Sequence, residues 1–254
     1  FIPSLIGETI GQLAAWQVMH EQGFVRRPVA GVVAKASMLK PAYVGDTLFL
    51  ECEIDALDEV AVQYHGQASV NGEIVFQVEG AIGPMLPMSQ FIDEAIVRQQ
   101  FNEIHRPIDG DVLAYIQQFS EFPNPKDGRK VYPMHFDGLF AMNVRESCRA
   151  FKKISRASGY FADHFPNKPV LPLTILLECH RQLALTFLQE SSWSHYRLMS
   201  MERIKMSDFV QPGEAIETEL KVKNHSDTEL ILHCRTYAGQ KRVCVVDLVF
   251  RTEV

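Results

Sequence analysis

The sequence predicts an α+β protein made of two related halves, each an antiparallel sheet wrapped around one apolar helix. Three observations carry this: a long internal repeat, period-two alternation of apolar residues after each repeated segment, and a helix-compatible apolar run inside each copy. The segment Leu5-Ile6-Gly7-Glu8-Thr9-Ile10-Gly11-Gln12-Leu13-Ala14 aligns at an offset of 170 with Ile175-Leu176-Leu177-Glu178-Cys179-His180-Arg181-Gln182-Leu183-Ala184, and both copies keep Glu-x-x-x-Gln-Leu-Ala. Tyr43-Val44-Gly45-Asp46 pairs with Gln211-Pro212-Gly213-Glu214 at an offset of 168, so two anchors agree within two residues.

The helices come first in each half. They are apolar nearly all round, as expected of a helix enclosed by a sheet. Strands follow. In the first half Leu48, Leu50, Cys52 and Ile54 share a face, then Val60, Val62 and Tyr64, then Ile74, Phe76 and Val78 after the Asn71-Gly72 turn signal. In the second, Ile216, Thr218, Leu220 and Val222 alternate, followed by Leu230, Leu232 and Cys234 and by the run from Val243 to Phe250. The chain therefore divides into a first unit over 1–84, a connector over 85–131 and a second unit over 132–254. In the connector, Met85-Leu86-Pro87 reads as a strand break, Gln90 to Ile104 and Asp111 to Phe119 as short amphipathic helices, and Pro123 to Gly128 as a turn cluster. A packing linker is the expectation there, and Arg26-Arg27 and Lys152-Lys153 with Arg156 read as solvated surface that would suit an acidic partner.

Composition narrows the function classes. The 254 residues are 46% hydrophobic and 22% charged, with a formal net charge of −6, which lacks the basic excess of a nucleic-acid-binding domain. Five cysteines, an odd number without C-x-x-C pairing, argue against a disulfide framework and a thiolate metal site. Neither a spanning apolar run nor a leader pattern occurs, so a cytoplasmic protein with no membrane and no nucleic-acid partner is expected. No metal-ligand spacing, nucleophile elbow or phosphate-cradling glycine loop is present, and no cofactor is expected.

The chemistry concentrates in Tyr160-Phe161-Ala162-Asp163-His164-Phe165-Pro166-Asn167-Lys168-Pro169-Val170-Leu171-Pro172, which runs into the second Glu-x-x-x-Gln helix. A carboxyl group in an apolar helix, Glu8 or Glu178, is costly to bury charged and can hold a proton near neutrality. Histidine suits base work at the same pH. Gln12 and Gln182 sit one turn beyond the glutamates, on the same face, where an amide can orient the carboxyl group. Cys179 points away from Glu178 on the helix and reads as packing.

This stretch resembles the beta-hydroxyacyl-acyl-carrier-protein dehydratase family, whose His-Phe-Pro-x-x-Pro-Val-x-Pro loop wraps into a central helix bearing an acid. The resemblance implies a tandem, or double, hot-dog fold and a hydro-lyase that removes water from 3-hydroxyacyl thioesters. It implies an acyl carrier protein with a phosphopantetheine-linked acyl chain as partner, in fatty-acid- or polyketide-type synthesis. The two units would form a pseudo-dimer within the chain, which could itself be a homodimer or part of a larger synthase. It also implies that base and acid cross the halves: His164 faces Glu8, supported by Gln12. Phe165, Pro172 and Leu173 line the substrate path, and the Leu173 N–H polarises the thioester carbonyl where the family has glycine. Glu178 and Gln182 would belong to a second or vestigial site, whose histidine falls before Phe1 by the same spacing and whose loop end carries Pro3, without an N–H, or Ser4 if one residue is skipped. A hot-dog acyl-thioesterase and a non-catalytic protein that binds acyl carriers are the alternatives.

Overall fold

The computed structural model describes residues 2–43, 46–105, 134–161, 164–165 and 167–252. The expected helix at Asp111 to Phe119, the turn cluster at Pro123 to Gly128, and Val44, Gly45, Ala162, Asp163 and Pro166 lie outside the described residues.

The first half opens with its helix and continues as a meander, whereas in the second half, against the sequence expectation, two strands precede the helix. In the first, α1 (Pro3–Glu21) is followed by β1 (Arg26–Pro28), β2 (Val32–Met38), β3 (Phe49–Leu57), β4 (Ala61–Val70) and β5 (Glu73–Pro87). A 3-10 turn at Met88–Gln90 and α2 (Glu94–Ile104) follow. In the second half β6 (Gly138–Asn143) and β7 (Ser147–Lys153) precede α3 (Leu173–Glu190), and β8 (Tyr196–Met206), β9 (Ala215–His225), β10 (Glu229–Ala238) and β11 (Lys241–Thr252) follow it.

All pairings are antiparallel, and the strands form one sheet in the order β3-β4-β5-β2-β8-β11-β10-β9-β7-β6, with β1 added on β5. The seam between the halves is β2 against β8, running from Val32 opposite Lys205 to Ser37 opposite Ser200. The sequence places the hairpin at Asn71-Gly72 correctly: both residues take positive φ, 50° and 80°, which a two-residue turn between twisted strands requires.

The sheet curls around the two helices, and sequence chemistry explains how closely. A Cβ at Gly66 of β4 would stand 2.7 Å from Ile10 Cγ2 and 2.6 Å from the Glu51 carbonyl oxygen, so only glycine lets α1 lie this near the strand. In the second half Leu176 and Phe187 of α3 are fully buried in the cluster that holds Leu220, Leu232 and Leu248 from β9, β10 and β11. These are the alternating positions expected from the sequence to face inward. The result is a tandem hot-dog fold.

Two expectations are corrected. Met85-Leu86-Pro87 does not break the strand: β5 continues through it, with Met85 opposite Pro28 and Pro87 opposite Arg26. Proline is tolerated there because β1 is a three-residue edge pairing. The first connector helix begins at Glu94, not Gln90, because Asp93 caps it by accepting from the Ala95 N–H at 2.8 Å.

Candidate active site

A cavity of about 190 Å3 lies between the halves, lined by Glu8, Gln12 and Gly11 of α1, by His164 and Phe165 of the loop, and by Leu173, Thr174 and Leu177 of α3. Apolar residues of the seam strands, among them Val33, Ala36, Met201 and Ile204, extend it along the sheet. The side chains predicted to act together across the halves, His164 and Glu8, do share this space, with Gln12 and Leu173 beside them.

Both oxygens of Glu8 are held. Gln12 Nε2 donates to Oε1 at 3.1 Å from one turn along α1, and Thr174 Oγ1 donates to Oε2 at 3.0 Å from the first turn of α3. The glutamine was legible from its four-residue spacing. The threonine was not, because nothing local to residue 174 shows that the opposite helix would present it to residue 8. The first turn of α3 is otherwise open. Its N-cap, Pro172, has no side chain to cap the leading N–H groups, and among the described residues the Leu173 N–H has no acceptor. Pro172 itself does not line the cavity; its carbonyl accepts the Leu176 N–H at 3.2 Å.

Burial holds the His164 imidazole below its ordinary pKa, with the nearby Arg27 cation adding to that effect and Glu8 opposing it. The ring is therefore neutral and able to accept a proton at neutral pH. The Tyr64 phenol, also on the cavity wall, is pushed up to about 12 by burial and then by the Glu8 and Cys52 charges, so it stays protonated.

Arg27 is a correction to the sequence reading. It is not solvated surface: its guanidinium lies 4.1 Å above the Phe165 ring and 5.5 Å from that of Phe91, on the cavity wall, and burial lowers it to about 10. Phe91, from the expected linker, packs edge-on against Phe165 at 4.8 Å, and its carbonyl accepts the Asn167 N–H at 2.9 Å. That segment braces the loop carrying His164.

Glu178 and Gln182 are elsewhere. Glu178 is 1% exposed and outside the cavity. Its carboxylate accepts from Arg181 Nε at 2.8 Å, Arg181 Nη2 at 2.7 Å and Gln182 Nε2 at 2.7 Å. The two repeats thus place equivalent glutamates in opposite circumstances, one facing an open cavity and a histidine, the other closed by a bidentate arginine. Cys179 is buried, as expected of a packing residue, and its thiol is raised to about 12 chiefly by burial. Among the described residues no helix is long and apolar enough to cross a membrane.

Fold and site together define a double hot-dog protein with a histidine and a glutamate facing one another across its halves. The model of the ApeI-like family, ApeI dehydratase, matches residues 142–246. The 3-hydroxyacyl-acyl-carrier-protein dehydratase FabZ of Wolinella succinogenes is 31% identical over 121 residues, 44% of this chain and 80% of the relative. That of Lactiplantibacillus plantarum is 26% identical over 123 residues, 47% of this chain and 84% of the relative. Solved structures share the fold over nearly the whole chain. A MaoC-like dehydratase has a TM-score of 0.55 at 13% identity, covering 98% of this chain and 83% of the other. An acyl-ACP thioesterase from Bacteroides thetaiotaomicron has 0.54 at 11%, covering 98% and 89%. The chain belongs to the 3-hydroxyacyl-acyl-carrier-protein dehydratase family of hot-dog proteins.

Proposed function

We propose that this protein is a hydro-lyase that removes water from a 3-hydroxyacyl group held as a thioester on an acyl carrier protein, in fatty-acid- or polyketide-type synthesis in the cytoplasm. In this reading residues 1–84 and 132–254 are the two hot-dog units and 85–131 the connector. The observation that carries it is the convergence of His164 and Glu8, from different halves, on one largely apolar cavity.

The neutral imidazole of His164 takes a proton from C2 of the acyl chain, and the electron pair moves toward the thioester carbonyl. Glu8, in its protonated form, gives its proton to the 3-hydroxyl as the C3–O bond breaks. Water leaves and the C2–C3 double bond forms, with the imidazolium and the Glu8 carboxylate left to exchange one proton before the next turnover. Gln12 and Thr174 fix the carboxyl plane so that the acid meets the leaving oxygen. The Leu173 N–H, at a helix start without a side-chain cap, polarises the carbonyl in this reading. The apolar wall formed by Val33, Ala36, Met201 and Ile204 accepts the acyl chain. Reaction in the hydration direction uses the same groups with roles reversed.

The test is mass spectrometry of a 3-hydroxyacyl carrier-protein thioester incubated with the protein. Loss of water with the thioester intact is expected, and loss of that activity in His164→Ala and Glu8→Gln. Release of free acid without dehydration would establish a thioesterase instead, and full activity in Glu8→Gln would refute the crossed pair.

A further inference from the structure

We propose that Arg27 is a further catalytic residue of this site, its guanidinium donating to the thioester carbonyl oxygen of the bound acyl group. The inference rests on the dehydratase reading above and adds to it an electrophile that neither the repeat nor the loop motif contains.

Arg27 follows directly on Arg26 in the edge strand β1, yet the two arginines differ. Arg26 reaches outward to the Glu59 carbonyl at 3.2 Å. Arg27 turns inward to the cavity that holds Glu8 and His164. Among the described residues none accepts a hydrogen bond from its guanidinium, and Nε is buried without a partner. It forms no ion pair within 4.0 Å with Glu8 or any other described carboxylate. A buried cation with unused donors is costly, and planar guanidinium donors match a ligand oxygen better than the aromatic faces that hold them.

Those faces fix where the cation stands. Phe165 and Phe91 clamp it, 4.1 and 5.5 Å from the two ring centres. Phe165 is the residue after His164, so the guanidinium is tied to the base's side of the cavity. For His164 to take the C2 proton, C2 must lie there too, and the carbonyl carbon is one bond away. The hydroxyl on C3 belongs on the side of Glu8. As the C2 proton leaves, negative charge grows on the carbonyl oxygen, where a fixed cation on the wall of a largely apolar cavity is most effective. With its pKa at about 10 the group remains charged at neutral pH.

The experiment separates enolisation from departure of the hydroxyl. A saturated acyl carrier-protein thioester has no hydroxyl to lose, so exchange of its C2 hydrogen with deuterated solvent reports proton removal alone. Wild type should catalyse both this exchange and dehydration of the 3-hydroxy substrate. In Arg27→Met, exchange should slow by about a hundredfold, the size expected for one lost oxyanion donor, and dehydration by a similar factor. Arg27→Lys keeps charge and stem and should fold as wild type does; exchange should slow by about tenfold because the planar fork is gone. Exchange at the wild-type rate in either folded variant overturns the assignment, whatever happens to dehydration. A wild type that neither exchanges nor dehydrates refutes the dehydratase reading itself, a result distinct from a wild type that does both beside an unaffected Arg27 variant.

Discussion

Thr174 Oγ1 donates to Glu8 Oε2 at 3.0 Å, joining the first turn of one central helix to the carboxyl group of the other across 166 residues of chain. The repeat aligns Thr174 with Ser4, and Ser4 Oγ is buried without a partner among the described residues. The same hydroxyl position is thus used in one direction across the pseudo-twofold and idle in the other. Replacing Thr174 by valine keeps the shape and removes the donor. A hydrogen bond contributes about 0.5–1.5 kcal/mol to the neutral acid and about 1.5–3 kcal/mol to the carboxylate that forms as Glu8 gives up its proton, so kcat should fall by about fivefold to tenfold through the difference. Thr174→Ser should retain most activity. Steady-state rates of both variants, compared with their thermal unfolding, check this; equal rates in the valine variant would remove Thr174 from the site.

The other glutamate should matter to folding and not to turnover. Glu178 is 1% exposed and chelated by Arg181, whose side chain keeps 23% exposure. At the position equivalent to Arg181 the first repeat has Gly11, which lines the cavity and leaves the flank of Glu8 open. Converting Glu178 to glutamine strands the guanidinium, at a cost near the lower end of the range for broken buried pairs, about 3 kcal/mol, because Arg181 still reaches water. Urea unfolding should show that loss while dehydration per folded molecule stays at the wild-type level. A fall in kcat comparable to that of Glu8→Gln would instead make Glu178 part of a second working site.

What could be read from the sequence follows from the range of the interactions involved. The central helices and the alternating strands rest on local periodicity and the His164 loop on its resemblance to a family motif, so residues such as Leu220, Leu232 and Gln12 stand where the pattern puts them. The pairing of His164 with Glu8 came from the family resemblance, which implies that base and acid cross the halves, and the repeat supplied the acid at residue 8. Thr174, Arg27 and Phe91 were hidden because each acts on a neighbour far along the chain. An Arg-Arg pair at the start of an edge strand looks like surface until Phe165 and Phe91 are folded against it. The strand through Met85-Leu86-Pro87 was hidden for a related reason: its partner is only three residues long and carries proline itself.

Acid should destabilise the fold through His180 before it reaches most carboxylates. His180 is fully buried in α3, with Nε2 2.8 Å from Thr236 Oγ1 and Nδ1 without a partner among the described residues, and burial lowers its pKa to about 3. The unfolded chain takes up the proton near pH 6.5, so between about pH 6.5 and 3 the unfolded state binds more protons than the native one. Stability is therefore complete above that window and declines as pH falls through it, by at most about 1.4 kcal/mol per pH unit from this residue. Urea midpoints measured at pH 7 and pH 5 should differ in wild type and differ less in His180→Leu. An equal drop in both would assign the acid sensitivity to other groups.

Phe91 offers the sharpest test of whether the segment between the halves is mere packing. Its side chain is fully buried, its ring meets Phe165 at 4.8 Å and lies 5.5 Å from the cations of Arg27 and of Lys168, and its carbonyl takes the Asn167 N–H. Phe91→Leu leaves the backbone bond in place and removes the flat surface, at about 1–1.5 kcal/mol of stability by analogy with conservative core changes. If the ring positions Phe165, and through it His164 and Arg27, kcat should fall severalfold beyond what the small stability change explains, with KM altered less. A second change tests the cause: Val97→Ala, in the same cluster on α2 but absent from the cavity lining, should lower stability to a similar or greater degree and leave kcat alone. Parallel losses of activity in both variants would show that kcat follows the stability of the segment as a whole. A loss confined to Phe91→Leu would make the aromatic clamp part of how this chain holds its base in place.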